Sequence, residues 1–88
     1  MTNNRSTADV TTMIRRVLVA HGRLTRDAML MAPEADLYQS GLTSHASVNI
    51  MLALEGEFDV EFPDYMLTRS MFASIDALTA ALTPLLNE

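Results

Sequence analysis

Cysteine is absent from this 88-residue chain, so neither a disulfide framework nor a thiolate metal site is available to it. Glycine is scarce, at three residues, and no glycine-rich loop exists to cradle a phosphate. No run approaches the roughly 20 apolar residues of a membrane span. The opening Met-Thr-Asn-Asn-Arg-Ser-Thr lacks the apolar centre of a secretion signal. A cytoplasmic protein with no membrane contact is expected. Lysine and arginine are missing from residues 28–68, where seven acids stand: Glu34, Asp36, Glu55, Glu57, Asp59, Glu61 and Asp64. That −7 stretch argues against binding a nucleic-acid backbone. It suits partners with basic docking surfaces, or else is a solvated acidic face. Residues 1–26 are the reverse, five arginines against Asp9, within a total charge of −5.

What remains is helical. No alternating run closed by a turn pair reads as strand. The length fits one domain over residues 1–88, with a modest core and a stability of about 5–10 kcal/mol. Residues 1–5 are expected to be disordered. Ser6-Thr-Ala-Asp9 reads as a capping-box variant, with Asp in place of Glu or Gln. A first helix then runs from about Thr7 to Ala20, with Val10, Ile14, Val17 and Leu18 inward, Arg15 and Arg16 pointing elsewhere, and Gly22 at the stop. A long connection follows, about Arg23 to Thr43. Connections this long are uncommon unless functional or packed by their own side chains. Leu37 and Leu42 are expected to anchor it. A second helix spans Thr43 or Ser44 to about Phe58, with Thr43 as N-cap. One short helical turn is predicted at residues 66–70. Ser74 caps a last helix with Ile75, Leu78, Leu82 and Leu85 on one side and an irregularity near Pro84. The fold class is all-α: a bundle of three main helices and one short one.

The second helix has two apolar faces. At about 100° per residue, Ile50, Met51, Leu54 and Phe58 fall within roughly 60° of Ser47, which marks the core side. Val48 and Leu52 lie roughly 100–140° away, beside Ser44 and His45. Either they pack under the long connection, or they form an exposed strip flanked by Glu55 that a partner groove reads at i, i+4.

Chemistry of its own is poorly supplied. Ser44 and His45 are adjacent, but neighbours at i, i+1 on a helix do not face each other, and a nucleophile needs its base within hydrogen-bond reach. No Gly-x-Ser-x-Gly elbow surrounds Ser44. Two histidines and scattered acids form no metal-ligand spacing, and no metal is expected. The seven methionines read as core filler. Ser44 sits where a polar, Gly41-containing loop meets the second helix. It is either a site of covalent modification or simply an N-cap or first-turn helix residue. Spacing alone leaves both open.

The stretch from Asp36 to Leu82 resembles the acyl and peptidyl carrier proteins. The likeness lies in Asp36-Leu, then Gly41-Leu-x-Ser44, an apolar helix ending Leu54-Glu-x-x-Phe58, and Val60-x-Phe62-Pro-Asp64. Met71-Phe-Ala-Ser-Ile-Asp-Ala-Leu78 resembles the start of that family's last helix. The resemblance implies a four-helix carrier bundle that catalyses nothing. It implies that Ser44 receives 4′-phosphopantetheine from coenzyme A through a separate phosphopantetheinyl transferase. The arm's thiol would hold an acyl or aminoacyl thioester for downstream acceptor enzymes. Docking would use Thr43, His45, Val48, Leu52 and Glu55. Thr43 stands where the family usually has Asp or Gly, and His45 where it has Leu or Met. Asn49 and Gly56 stand where fatty-acid carriers tend to be acidic. These departures point away from fatty-acid synthesis. Ser44-His-Ala-Ser-Val48 and Met66-Leu-Thr-Arg69 resemble the stand-alone aminoacyl carriers loaded by seryl-tRNA-synthetase-like amino acid:carrier protein ligases. That likeness implies a small amino acid such as glycine or alanine as cargo and a monomeric carrier. The competing readings are a fatty or polyketide acyl carrier, and an unmodified helical adaptor binding through Val48 and Leu52.

Overall fold

The computed structural model describes residues 7–86. The expectations for disorder over residues 1–5 and for a capping box begun by Ser6 lie outside the described residues. Within them the order is α1 (Thr7–His21), α2 (Ser44–Phe58), a 3-10 turn (Asp64–Met66), a second 3-10 turn (Arg69–Phe72) and α3 (Ile75–Leu86). No strand occurs among the described residues. The all-α bundle is therefore as expected, with the differences of detail described below.

α1 buries Val10, Ile14, Val17 and Leu18, the inward set the helical spacing picks out. It stops where the Gly22 N–H donates to the Leu18 carbonyl at 2.8 Å. A Cβ at position 22 would stand 2.7 Å from that same oxygen, so the close approach requires glycine. Arg23 then turns the chain in the left-handed region, at φ 51°.

The connection from 22 to 43 contains no helix, yet it contributes Ala28, Met31, Leu37 and Leu42 to the core. Leu37 is completely buried, and burying such a side chain contributes about 1.5–3 kcal/mol. Hydrogen bonds tie the segment down at several points. The Leu37 N–H donates to the Ala73 carbonyl at 2.8 Å, and the Asp76 N–H to the Pro33 carbonyl at 3.0 Å. Thr25 donates its N–H (2.8 Å) and its hydroxyl (3.1 Å) to the Ser40 carbonyl.

Arg15 corrects the expectation that it points away from the core. It is half-buried, and one guanidinium nitrogen donates to the carbonyls of both Ala28 and Met31, at 2.7 Å each. A loop without a ladder partner leaves carbonyls unpaired. A guanidinium on a long apolar stem can satisfy them from within the fold.

α2 packs Ala46, Ile50, Leu54 and Phe58 inward. Met51, expected on the core face, is half-buried, and Ala46 takes the inner position the apolar pattern overlooked. The single short helical turn expected at residues 66–70 is instead two 3-10 turns. Thr68 separates them: it is extended (φ −116°, ψ 164°), and its side chain accepts the Met71 N–H, which restarts the helical geometry. The second turn buries Met71 and Phe72. Ser74 caps α3, accepting the Ala77 N–H at 3.0 Å. The irregularity expected near Pro84 is a lost hydrogen bond rather than a break. α3 runs through Pro84 to Leu86. The carbonyl that Pro84 leaves without an intrahelical donor belongs to exposed Ala80, where water can replace the missing bond.

A candidate attachment site at the start of the second helix

A tight turn sets up the site. The Asp36 carboxylate accepts the Tyr38 N–H at 2.9 Å. The Leu37 carbonyl then accepts the N–H groups of Ser40 (3.0 Å) and Leu42 (3.1 Å). Gly41 closes the turn at φ +100°, a conformation L side chains rarely adopt. Leu42 is buried and fixes where the chain emerges.

Thr43 follows in extended conformation as the N-cap of α2. Its hydroxyl oxygen accepts the Ala46 N–H at 3.0 Å, and its carbonyl accepts the Ser47 N–H at 3.0 Å. The Ser47 hydroxyl donates to the Ser44 carbonyl at 2.7 Å. Both flanking hydroxyls are therefore engaged with backbone. Ser44 is the first residue of α2 and is exposed, and its hydroxyl makes no hydrogen bond among the described residues. His45 is exposed beside it. His21 lies elsewhere, in a groove with Met13, Ala53 and Glu57. Neither histidine is hydrogen-bonded to Ser44. Among the described residues no cluster of three or more acids and histidines could hold a metal ion.

Ser44 opens onto a shallow groove of about 310 Å³ lined by Tyr38, Ser47, Leu67, Thr68, Arg69 and Phe72. The Arg69 guanidinium lies 3.7 Å over the Tyr38 ring, and the Tyr38 hydroxyl donates to the Arg69 carbonyl at 2.9 Å. Sequence reasoning missed Tyr38 and Arg69 as site residues. One signal was present: Arg69 is the only arginine or lysine after Arg26.

Val48 (51% exposed) and Leu52 (56%) stand in solvent on α2 rather than under the long connection. On the first 3-10 turn and just after it, Tyr65 and Leu67 are exposed too. Glu55, expected to flank that strip, also has a structural bond. It is half-buried, and its carboxylate accepts the Phe62 N–H at 2.8 Å. Its carbonyl accepts the N–H groups of Asp59 and Val60. Asp59 turns the chain back in the left-handed region (φ 54°), which brings the segment after α2 within reach of that carboxylate.

The site suits a phosphodiester. It offers an exposed primary hydroxyl with no competing hydrogen bond, at a helix N-terminus where the dipole favours an anion. Comparison with known proteins gives the family. The family described as the phosphopantetheine attachment site matches residues 8–82, and the chain belongs to that family. An aminoacyl carrier protein of Agrobacterium fabrum is 51% identical over 65 residues, covering 74% of this chain and 78% of that protein. A carrier protein from Agrobacterium tumefaciens, crystallised with an engineered Bradyrhizobium japonicum glycine:[carrier protein] ligase and AMP, superposes with a TM-score of 0.80. It is 45% identical, covering 83% of this chain and 97% of that one. A glycylated carrier protein in complex with the Bradyrhizobium japonicum ligase gives a TM-score of 0.70 at 32% identity, covering 82% and 96% of the two chains.

Proposed function

We propose that this protein is an aminoacyl carrier whose attachment residue is Ser44. One observation carries the assignment of the residue. Of the three hydroxyls around the first turn of α2, those of Thr43 and Ser47 are held by backbone, and only that of Ser44 is exposed and unengaged among the described residues. A phosphopantetheinyl transferase would supply 4′-phosphopantetheine from coenzyme A, joined to the Ser44 oxygen as a phosphodiester. When bound, the arm supplies a terminal thiol able to hold a carboxyl cargo as a thioester. The protein's own residues present that oxygen and offer a docking face. They catalyse no step.

The cargo is a small amino acid, glycine or alanine, loaded by a seryl-tRNA-synthetase-like amino acid:carrier protein ligase and passed to acceptor enzymes. The relatives support this choice, since one is named an aminoacyl carrier protein and another is a glycylated carrier bound to a glycine:[carrier protein] ligase. Docking uses Thr43, His45, Val48 and Leu52, with Glu55 fixing the far end of the face by holding the Phe62 N–H. We place it in the cytoplasm as a monomeric, one-domain carrier; among the described residues no helix is long and apolar enough to cross a membrane.

The test is intact mass after incubation with coenzyme A and a broad-specificity transferase, with Ser44→Ala in parallel. Wild type alone should gain one phosphopantetheine. Adding ATP, glycine or alanine and a carrier ligase should then add one aminoacyl group. No gain with several transferases would sink the carrier reading and leave an adaptor working through Val48 and Leu52.

A further inference from the structure

We propose that Arg69, held over Tyr38, pairs with the phosphodiester on Ser44 and seats the near end of the arm in the groove they share. This rests on the carrier reading above and adds a residue that binds the group within the protein itself.

Three observations carry it. First, charge: residues 28–68 hold seven acids and no lysine or arginine, yet none of those acids lines the groove onto which Ser44 opens. Arg69 is the only lysine or arginine in residues 28–88, and it lines the same groove as Ser44. Second, preorganisation: the guanidinium is stacked on the Tyr38 ring at 3.7 Å, and Tyr38 is itself fixed by its hydroxyl donating to the Arg69 carbonyl at 2.9 Å. Stacking uses the flat face of the guanidinium and leaves its edge N–H groups directed outward. Third, vacancy of partners: those edge N–H groups make no hydrogen bond among the described residues, and no ion pair engages Arg69 there. A planar guanidinium matches a phosphate through two parallel hydrogen bonds. The apolar side chains of Leu67 and Phe72 line the groove as well and offer contact to the hydrocarbon part of the arm. Because the pair is exposed, salt should weaken it.

The experiment compares unloaded and fully loaded protein, the loading checked by intact mass, in ¹H–¹⁵N and ³¹P spectra. On loading, the Arg69 Nε–H resonance and the amides of Ser47, Thr68 and Phe72 should shift, and added salt should reverse part of the change. In loaded Arg69→Gln the Thr68 and Phe72 amides should return towards their unloaded positions, and the ³¹P resonance should move from that of wild type. Arg69→Lys, which keeps the charge but not the fork, should fall between. The unchanged remainder of the amide spectrum establishes that the variants fold. An Arg69 Nε–H resonance identical in unloaded and loaded protein, with the same ³¹P position in wild type and Arg69→Gln, would overturn the proposal and leave the carrier reading standing. Failure to load at all would remove both.

Discussion

Leu37 and Leu52 are the same residue with opposite fates. Leu37 sits in a segment without helix, is completely buried, and has its N–H bound to the Ala73 carbonyl. Leu52 sits in the middle of α2 and is 56% exposed. Tight packing thus does not require regular secondary structure: a side chain of the irregular connection is buried as fully as Ile50 and Leu54 on the inner face of α2. The irregular connection is pinned from α1 by Arg15, from α3 by Asp76 and by its own buried side chains. The regular helix keeps one face for the core and leaves another apolar face open. A carrier must expose its attachment residue and a surface that several partners can read, so the rigid surround has to come from elsewhere. Here the long connection supplies it, packed around the turn that delivers Thr43 and Ser44.

The strongest way to break this comparison is Leu37→Ala. A completely buried leucine in a small core should cost about 3 kcal/mol, seen as a lower urea midpoint at unchanged slope. A loss below about 0.5 kcal/mol, the range of ordinary surface changes, would show that the connection is not a structural part of the core.

Arg15→Ala comes next. It would leave the Ala28 and Met31 carbonyls without their donor, at a cost of about 2 kcal/mol. Hydrogen exchange should show protection falling in residues 27–31 before α2 is affected. An unchanged urea midpoint would mean that water replaces the guanidinium without loss.

The two regions were not equally legible in the sequence. Period and caps placed all three helices, because Val10, Ile14, Val17 and Leu18 on α1 and the Thr43 and Ser74 caps obey local rules. Ser44 stood out because a loop-to-helix junction is also local. Arg15, Tyr38 and Arg69 did not, since each acts across 13 to 31 residues of chain through contacts that no periodicity encodes. Glu55 was read only as the flank of the apolar strip for the same reason: its partner, the Phe62 N–H, reaches it only after Asp59 reverses the chain. Thr68 was a visible N-cap residue, but a lone threonine in a short linker gave no reason to expect two turns rather than one.

Thr43→Ala tests the junction itself. Losing the bond to the Ala46 N–H should cost about 1 kcal/mol and fray the first turn, which carries Ser44. Thr43→Asp keeps a capping acceptor and adds a charge that the helix dipole favours, so it should recover that stability or exceed it by a few tenths. If transferase loading follows stability across the two variants, the cap acts by ordering Ser44. If Thr43→Asp is stable but loads differently from wild type, the transferase reads residue 43 directly.

The smallest effect on folding is expected where the effect on function is largest. Val48 and Leu52 are about half exposed, so Leu52→Asp gives up little core contact and should change stability by less than about 0.5 kcal/mol. The same change places a charge in the middle of an apolar strip that a partner would have to desolvate. Transferase loading or ligase charging should therefore fall at least tenfold in kcat/KM while the urea midpoint holds. A Leu52→Met control, similar in size and apolar, should keep both. Loss of stability in Leu52→Asp would put Leu52 back into the core account and erase its contrast with Leu37. Full activity with full stability would move the docking face off α2, towards exposed Tyr65 and Leu67.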